Sequence, residues 1–220
     1  MYKYRNLKQV LLIFGKLTRE EHIKKSLLIL KLHHLETHEH SLRVAKLSID
    51  IALENKFTIR IVKTIGRAAL LHDFGKSHID TKILSKDGPL DAVELSEMTK
   101  HPRLGIIELK KFLSPEARKI IISHHEFKAK PYPRKPAERR QSERAVRTER
   151  RKKNLIDSFT QIVAAADMYD ALSFPRAYKM SFPLDKVRDI MAVQFIGKSV
   201  LIKQLSDRPL KFNGRKLKTL

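Results

Sequence analysis

Cysteine is absent from the 220-residue sequence. That excludes disulfides and thiolate chemistry, and it leaves His, Asp and Glu as the side chains able to hold a metal. Glycine is scarce, at 7 residues. β-Branched residues do not alternate with polar ones, so the pattern does not ask for a sheet. No apolar run approaches the ~20 residues that cross a bilayer. The opening MYKYRNLKQVLLIFGK has a basic start, but its apolar VLLIF is too short for a secretory segment and no small-residue cleavage site follows. A cytoplasmic location is therefore expected. There is no internal repeat.

What is abundant is positive charge. Lys and Arg number 46 against 24 Asp and Glu, a formal net charge of +22. Such a chain attracts anions: nucleic acid, nucleotides, acidic lipid or an acidic protein. Ten histidines form clusters ahead of Glu126. The length suits one domain with an appendage and is enough to bury a sizeable core. Apolar residues recur at three and four, which predicts an all-α fold. Val44, Leu47, Ile51 and Ala52 share one helical face. TIRIVKTIGRAALLHDFGK reads as a helix stopped near Gly75, and DAVELSEMTKH as one capped by Asp91. SPEARKIIISHHE has a Ser-Pro start. NLIDSFTQIVAAADMYDAL and PLDKVRDIMAVQFI read as two more helices. Loops are expected at Gly75–Lys86, Pro131–Pro136 and Ser173–Pro183. Residues 1–30 read as a helical extension, 31–205 as the main domain and 206–220 as a basic tail. Within the domain, residues 128–153 hold 12 Lys or Arg and 3 Glu, too polar for a core and expected as a solvated helix or a basic loop.

The chemistry concentrates at LLHDFGK, where His72 and Asp73 end an apolar helix. A charged acid buried beside a histidine is costly without a partner. A divalent ion would supply one: imidazole with carboxylate suits iron, manganese or zinc, and an Asp can bridge two ions. Alone, His-Asp is weak evidence, because an ordinary helix end has the same letters. It gains weight from Glu36 and His40 on one helical face, His101 before Pro102, the pair His124 and His125, and Asp167 within an apolar helix. Facing helices can bring such residues to one metal site. Plain alternatives exist for each: a solvent-facing Glu36–His40 pair, a capping His101, a satisfied core Asp167, a solvated Lys76. His33, His34 and His38 read as surface residues, and His22 and His78 have no motif behind them.

These blocks resemble, in order, the HD superfamily of metal-dependent phosphohydrolases and, within it, the HD-GYP phosphodiesterases. ETHEHSLRVAKLSIDIA, LLHDFGKSHIDTKILSKDGPLDAVELSEMTKHPRLGIIEL, IIISHHE and IVAAADMYDALSFPRAYK carry the resemblance, and QFIGKSVLIKQL is a weaker version of the tail. It spans Thr37 to Leu205 apart from the basic segment, and several spaced motifs in order are far more specific than a dipeptide. The resemblance implies a helical bundle around a di- or trinuclear centre with His40, His72, Asp73, His101, His124, His125 and Asp167 as ligands and Asp73 bridging. Glu36 would be the carboxylate for a third metal. Lys76 would contact the scissile phosphate, with Tyr132, Arg176 and Lys179 holding substrate. The implied cofactors are two or three divalent ions, iron or manganese first and magnesium, zinc or nickel after them. The implied reaction is hydrolysis of cyclic di-GMP to pGpG or GMP by a metal-bridged hydroxide. Asp170 matches a recurrent position and reads as structural.

The chain departs from the family at one loop. The pattern His-His-Glu, two residues, then Asp-Gly-x-Gly-Tyr-Pro here runs HHEFKAKPYP, without Asp-Gly and with Pro131 in place of a glycine. Proline forbids backbone conformations that glycine permits, so the loop takes another path. The altered loop keeps two other readings open: an HD-type enzyme for RNA or another nucleotide, and a nucleotide-signalling adaptor with weak catalysis. Residues 128–153 are a candidate surface for nucleic acid or an acidic partner. No receiver or sensor domain is visible.

Overall fold

The computed structural model describes residues 3–131, 147–174 and 181–208. Their order is α1 (Leu7–Thr18), α2 (Glu21–His33), α3 (Leu35–Glu54), α4 (Ile59–Leu71), a 3-10 turn (Phe74–His78), α5 (Thr81–Leu84), α6 (Ala92–Met98), α7 (His101–Leu109), α8 (Pro115–Ser123), α9 (Arg147–Ser173), α10 (Leu184–Gln194) and α11 (Ser199–Ser206). The all-α expectation holds. Among the described residues, extended pairing is limited to one antiparallel bridge between Lys128 and Phe195. No helix among them is long and apolar enough to cross a membrane.

Several helices begin at a side chain that satisfies a free backbone N–H group. Ser114 accepts from the Ala117 amide at 3.2 Å to start α8. Asp91 and Glu94 form a reciprocal capping box on α6. His34 accepts from the Thr37 amide at the head of α3, and His33 Nε2 lies 2.8 Å from the Ile79 carbonyl. These two histidines are half-buried structural residues, not the surface residues their polar context suggests.

The predicted face of α3 is buried: Val44, Leu47, Ile51 and Ala52 pack in one cluster with Ile65, Ala68 and Leu71 of α4 and Val163 and Ala166 of α9. α3 runs along α4 and α9, and α8 closes onto both of those. α1 and α2 belong to the same core through Val10, Ile13, Leu17, Ile23 and Leu27. Each such side chain contributes roughly 1.5–3 kcal/mol when fully buried. A second tie joins the two ends of the described chain. Arg208 is fully buried and donates through Nε to Asp50 Oδ2 at 2.7 Å, through another nitrogen to Glu54. Asp50 also accepts from the backbone of Arg5 and Asn6 at 2.9 and 2.8 Å.

The loop expected at Gly75–Lys86 is largely helical. Ser77 Oγ donates to the Phe74 carbonyl at 2.8 Å, and Asp80 caps α5 by accepting from Lys82 N at 2.8 Å. α4 stops at Leu71, ahead of the predicted Gly75. The glycine has another purpose: a Cβ there would lie 1.9 Å from the His101 carbonyl oxygen and 2.6 Å from Gly105 N. Its absence lets the 3-10 turn press on α7. α9 begins at Arg147, so the last part of the basic segment is helical.

Candidate metal centre

Five helices deliver the seven predicted ligands to one buried place. His40 comes from the middle of α3, His72 follows the last residue of α4, and Asp73 precedes the 3-10 turn. His101 opens α7, His124 and His125 follow α8, and Asp167 comes from α9. All seven are buried. Their ligand atoms form two groups, Asp73 with His101, His124 and His125, and His40 with His72 and Asp167, each within 4.8 Å.

Asp73 joins the groups. Its Oδ1 lies 3.2 Å from His101 Nε2 and 3.9 Å from His124 Nε2. Its Oδ2 lies 3.4 Å from His72 Nε2 and 3.8 Å from His40 Nε2. The same Oδ2 accepts from Lys76 Nζ at 2.7 Å. One oxygen thus faces each group.

Local folding sets the ring orientations. The last carbonyls of a helix have no intrahelical partner. A histidine just beyond a helix end can use one of them. His72 Nδ1 lies 2.7 Å from Ala69 O, His101 Nδ1 2.7 Å from Met98 O and His124 Nδ1 2.6 Å from Ile121 O. A carbonyl can only accept, so each Nδ1 donates to it and each ring turns its Nε2 inward. Burial lowers His101 from its ordinary value, against the pull of Asp73. Burial, with His72 and His101 nearby, holds His124 well below its usual range. Burial, with His124 and Lys128, does the same to His125.

His40 is oriented by a carboxylate. Its Nδ1 donates to Asp170 Oδ2 at 2.7 Å, and Arg43 clamps Asp170 through Nε at 2.8 Å and Nη2 at 3.0 Å. His40 Nε2 lies 3.1 Å from Asp167 Oδ1. Burial would lower His40, but the bonds to Asp167 and Asp170 push it up to about 8. Burial would raise both ligand carboxyls. Lys76 and His72 instead hold Asp73 well below the ordinary carboxylate range, and Lys128 and His40 do so for Asp167.

The donor set fits divalent cations. With Nδ1 protonated, His101 Nε2 and Asp73 Oδ1 are two lone-pair atoms facing each other at 3.2 Å. His101 Nε2 and His124 Nε2 stand in the same relation at 3.5 Å. His72 Nε2, Asp73 Oδ1 and Asp167 Oδ2 are buried and make no hydrogen bond among the described residues. Converging acceptors without protons repel unless a cation lies between them, and mixed imidazole and carboxylate donors suit first-row metals.

Glu36 lies outside both groups. It lines a cavity of about 180 Å³ beside the centre, together with His34, Thr37, His40, Lys76 and Lys86. Tyr132, Arg176 and Lys179, and most of the basic segment, lie outside the described residues. The structural reading of Asp170 fits its bonds to His40 and Arg43, though its sequence context did not show which residue it holds; Arg43 was read with no role, and Lys128 only as part of the basic segment. Lys128 Nζ is 3.3 Å from Asp167 Oδ2.

The family model described as HD domain matches residues 37–172. A cyclic di-GMP phosphodiesterase of Thermotoga maritima is 35% identical over 156 residues, covering 69% of this chain and 38% of that protein. A 3'3'-cGAMP-specific phosphodiesterase of Vibrio cholerae is 35% identical over 130 residues, 58% of this chain and 25% of the relative. A cyclic di-GMP phosphodiesterase of the same organism is 31% identical over 140 residues, 59% of this chain and 25% of the relative. The chain thus spans between a quarter and two-fifths of the length of these relatives.

Proposed function

The chain belongs to the HD domain family, and from that premise we propose that it is a metal-dependent phosphodiesterase that opens cyclic di-GMP to pGpG and on to GMP. The observation that carries this reading is the Asp73 carboxylate, with one oxygen toward each of two His and Asp groups. We assign the groups two divalent ions, iron or manganese. Glu36, on the cavity wall beside His40, is in this reading the carboxylate for a third. Bound there, a metal pair supplies a water of lowered pKa and neutralises charge on the phosphoryl group.

The chain's own residues do the rest. Asp73 spans the two groups and sets their separation. The bonds from Nδ1 of His72, His101 and His124 to backbone keep three rings turned inward before substrate arrives, so no reorganisation is needed during reaction. Asp170 does the same for His40. Lys76, bonded to Asp73 and partly exposed, directs its remaining N–H groups toward a phosphoryl oxygen as its charge grows. The adjoining cavity gives room for part of the nucleotide. Tyr132, Arg176 and Lys179 enter this proposal as the groups that hold the substrate, and the cytoplasm as its setting.

The test is a substrate panel. Protein loaded with Fe(II) or Mn(II) under reducing conditions is given cyclic di-GMP, cyclic GMP–AMP, cyclic di-AMP and RNA. The expected result is a linear dinucleotide from cyclic di-GMP, lost in Asp73→Asn. Turnover of no cyclic dinucleotide would overturn the reading. Cleavage of RNA alone would move the assignment to the polynucleotide reading that the charge of +22 motivates.

A further inference from the structure

We propose that Lys128 is a second phosphate-binding lysine of this centre, set opposite Lys76. The inference rests on the phosphodiesterase reading for the reaction it serves, and on the geometry alone for the anion it binds. Each of two buried carboxylates carries one lysine. Lys76 Nζ is 2.7 Å from Asp73 Oδ2, and Lys128 Nζ is 3.3 Å from Asp167 Oδ2. The carboxylates form the floor, with side chains 1% and 8% exposed, while the lysines are 21% and 29% exposed. Both amines therefore approach from the solvent side. An ammonium has three donors; Lys76 gives one to Asp73 Oδ2, and Lys128 makes an ion pair with Asp167 Oδ2, so each keeps donors for a second oxygen. His40 Nε2 stands between the carboxylates, 3.8 Å from Asp73 Oδ2 and 3.1 Å from Asp167 Oδ1. An anion that reaches the ligands there has a lysine on either side.

Lys128 is held in place by its backbone. It forms the antiparallel bridge with Phe195. Ala129 N donates to Gln194 O at 2.8 Å and Ile196 N to Phe127 O at 3.0 Å. The start of the altered loop is thus stitched to the end of α10, and the stitch aims the side chain at Asp167. The family pattern leaves the two positions after His-His-Glu unspecified, and Lys128 is the second of them. A purely structural role would be to balance the Asp167 charge. Yet Asp167 also faces His40 and belongs to a ligand group, so with a cation in that group the lysine's charge is available to substrate. Phosphate oxygens, with several lone pairs and a full negative charge, match it.

The experiment uses the full chain loaded with Mn(II), as wild type, Lys128→Met and Lys128→Arg, with Lys128→Gln in parallel should the Met variant fold poorly. Metal content per chain is read by elemental analysis. Affinity for inorganic phosphate and for GMP is read by calorimetry, and KM and kcat with bis(p-nitrophenyl) phosphate. Lys128→Met is expected to keep its metal, to bind both anions on the order of tenfold or more weakly, as loss of a charged hydrogen bond implies, and to raise KM more than it lowers kcat. Lys128→Arg is expected to recover most of the loss. Unchanged phosphate affinity with metal intact would overturn the proposal. So would metal content that falls in step with affinity, which would make Lys128 a support for Asp167 only. Phosphate binding does not depend on which diester is the substrate, so a failure of the cyclic di-GMP assignment leaves this outcome readable.

Discussion

His40 is positioned by a residue in neither ligand group. Its Nδ1 is held by Asp170, Asp170 by Arg43, and the Arg43 guanidinium lies 3.5 Å over the Phe174 ring. Asp170→Asn keeps the volume and removes the charge. It should weaken metal binding by roughly 10- to 100-fold while the fold persists, the usual cost of losing a residue that orients a ligand. A titration against a competing chelator reads the loss, and unchanged affinity would reduce Asp170 to packing. The candidate ligands were legible chiefly through the resemblance of the spaced motifs to the HD superfamily, with a weaker signal from polar residues set against apolar helices: His72 and Asp73 after RAALL, Asp167 inside IVAAADMY. Asp170 was not, because its partner lies 130 residues away and its own neighbours give no hint of it. Lys128 was not, because the aim of its side chain depends on a bridge to Phe195.

Helix ends build much of the site. His72, His101 and His124 each follow closely on a finished helix and each bonds a carbonyl three residues back. The element that brings Asp73 and Lys76 to His101 is the 3-10 turn, and Gly75 is its contact with α7. Gly75→Ala would set a Cβ 1.9 Å from the His101 carbonyl, so backbone must move at a cost of about 1–3 kcal/mol. The expected outcome is a lowered melting temperature together with weakened metal binding. Full metal binding in a destabilised variant would show that the turn does not position the ligands. Long helices could be read from their apolar spacing, and α6 and α8 from their caps. The 3-10 turn and α5 could not, since four or five residues give too little periodicity to register. The start of α7 was hidden because His101 reads as the end of the preceding helix.

Across the whole molecule, the two ends of the described chain meet. Residues 1–30 read as an extension, yet α1 and α2 complete the core, and the Arg208–Asp50 pair fastens α11 to α3 beside Arg5. Apolar spacing could show that α1 has a buried face, but not which helix covers it. Arg208→Met should cost about 3 kcal/mol, because Asp50 would stay buried without its ion-pair partner. Urea unfolding measures this, and a loss near zero would mean the backbone amides of Arg5 and Asn6 suffice. The metal count belongs to this scale too, because five helices must agree to make the centre. The most direct measurement is elemental analysis of metal-loaded wild type and Asp73→Ala. At least two ions per chain are expected in the wild type, and a loss from both groups in Asp73→Ala, since the carboxylate serves both. A wild type that holds no metal, or an Asp73→Ala protein that keeps two ions, would contradict the account.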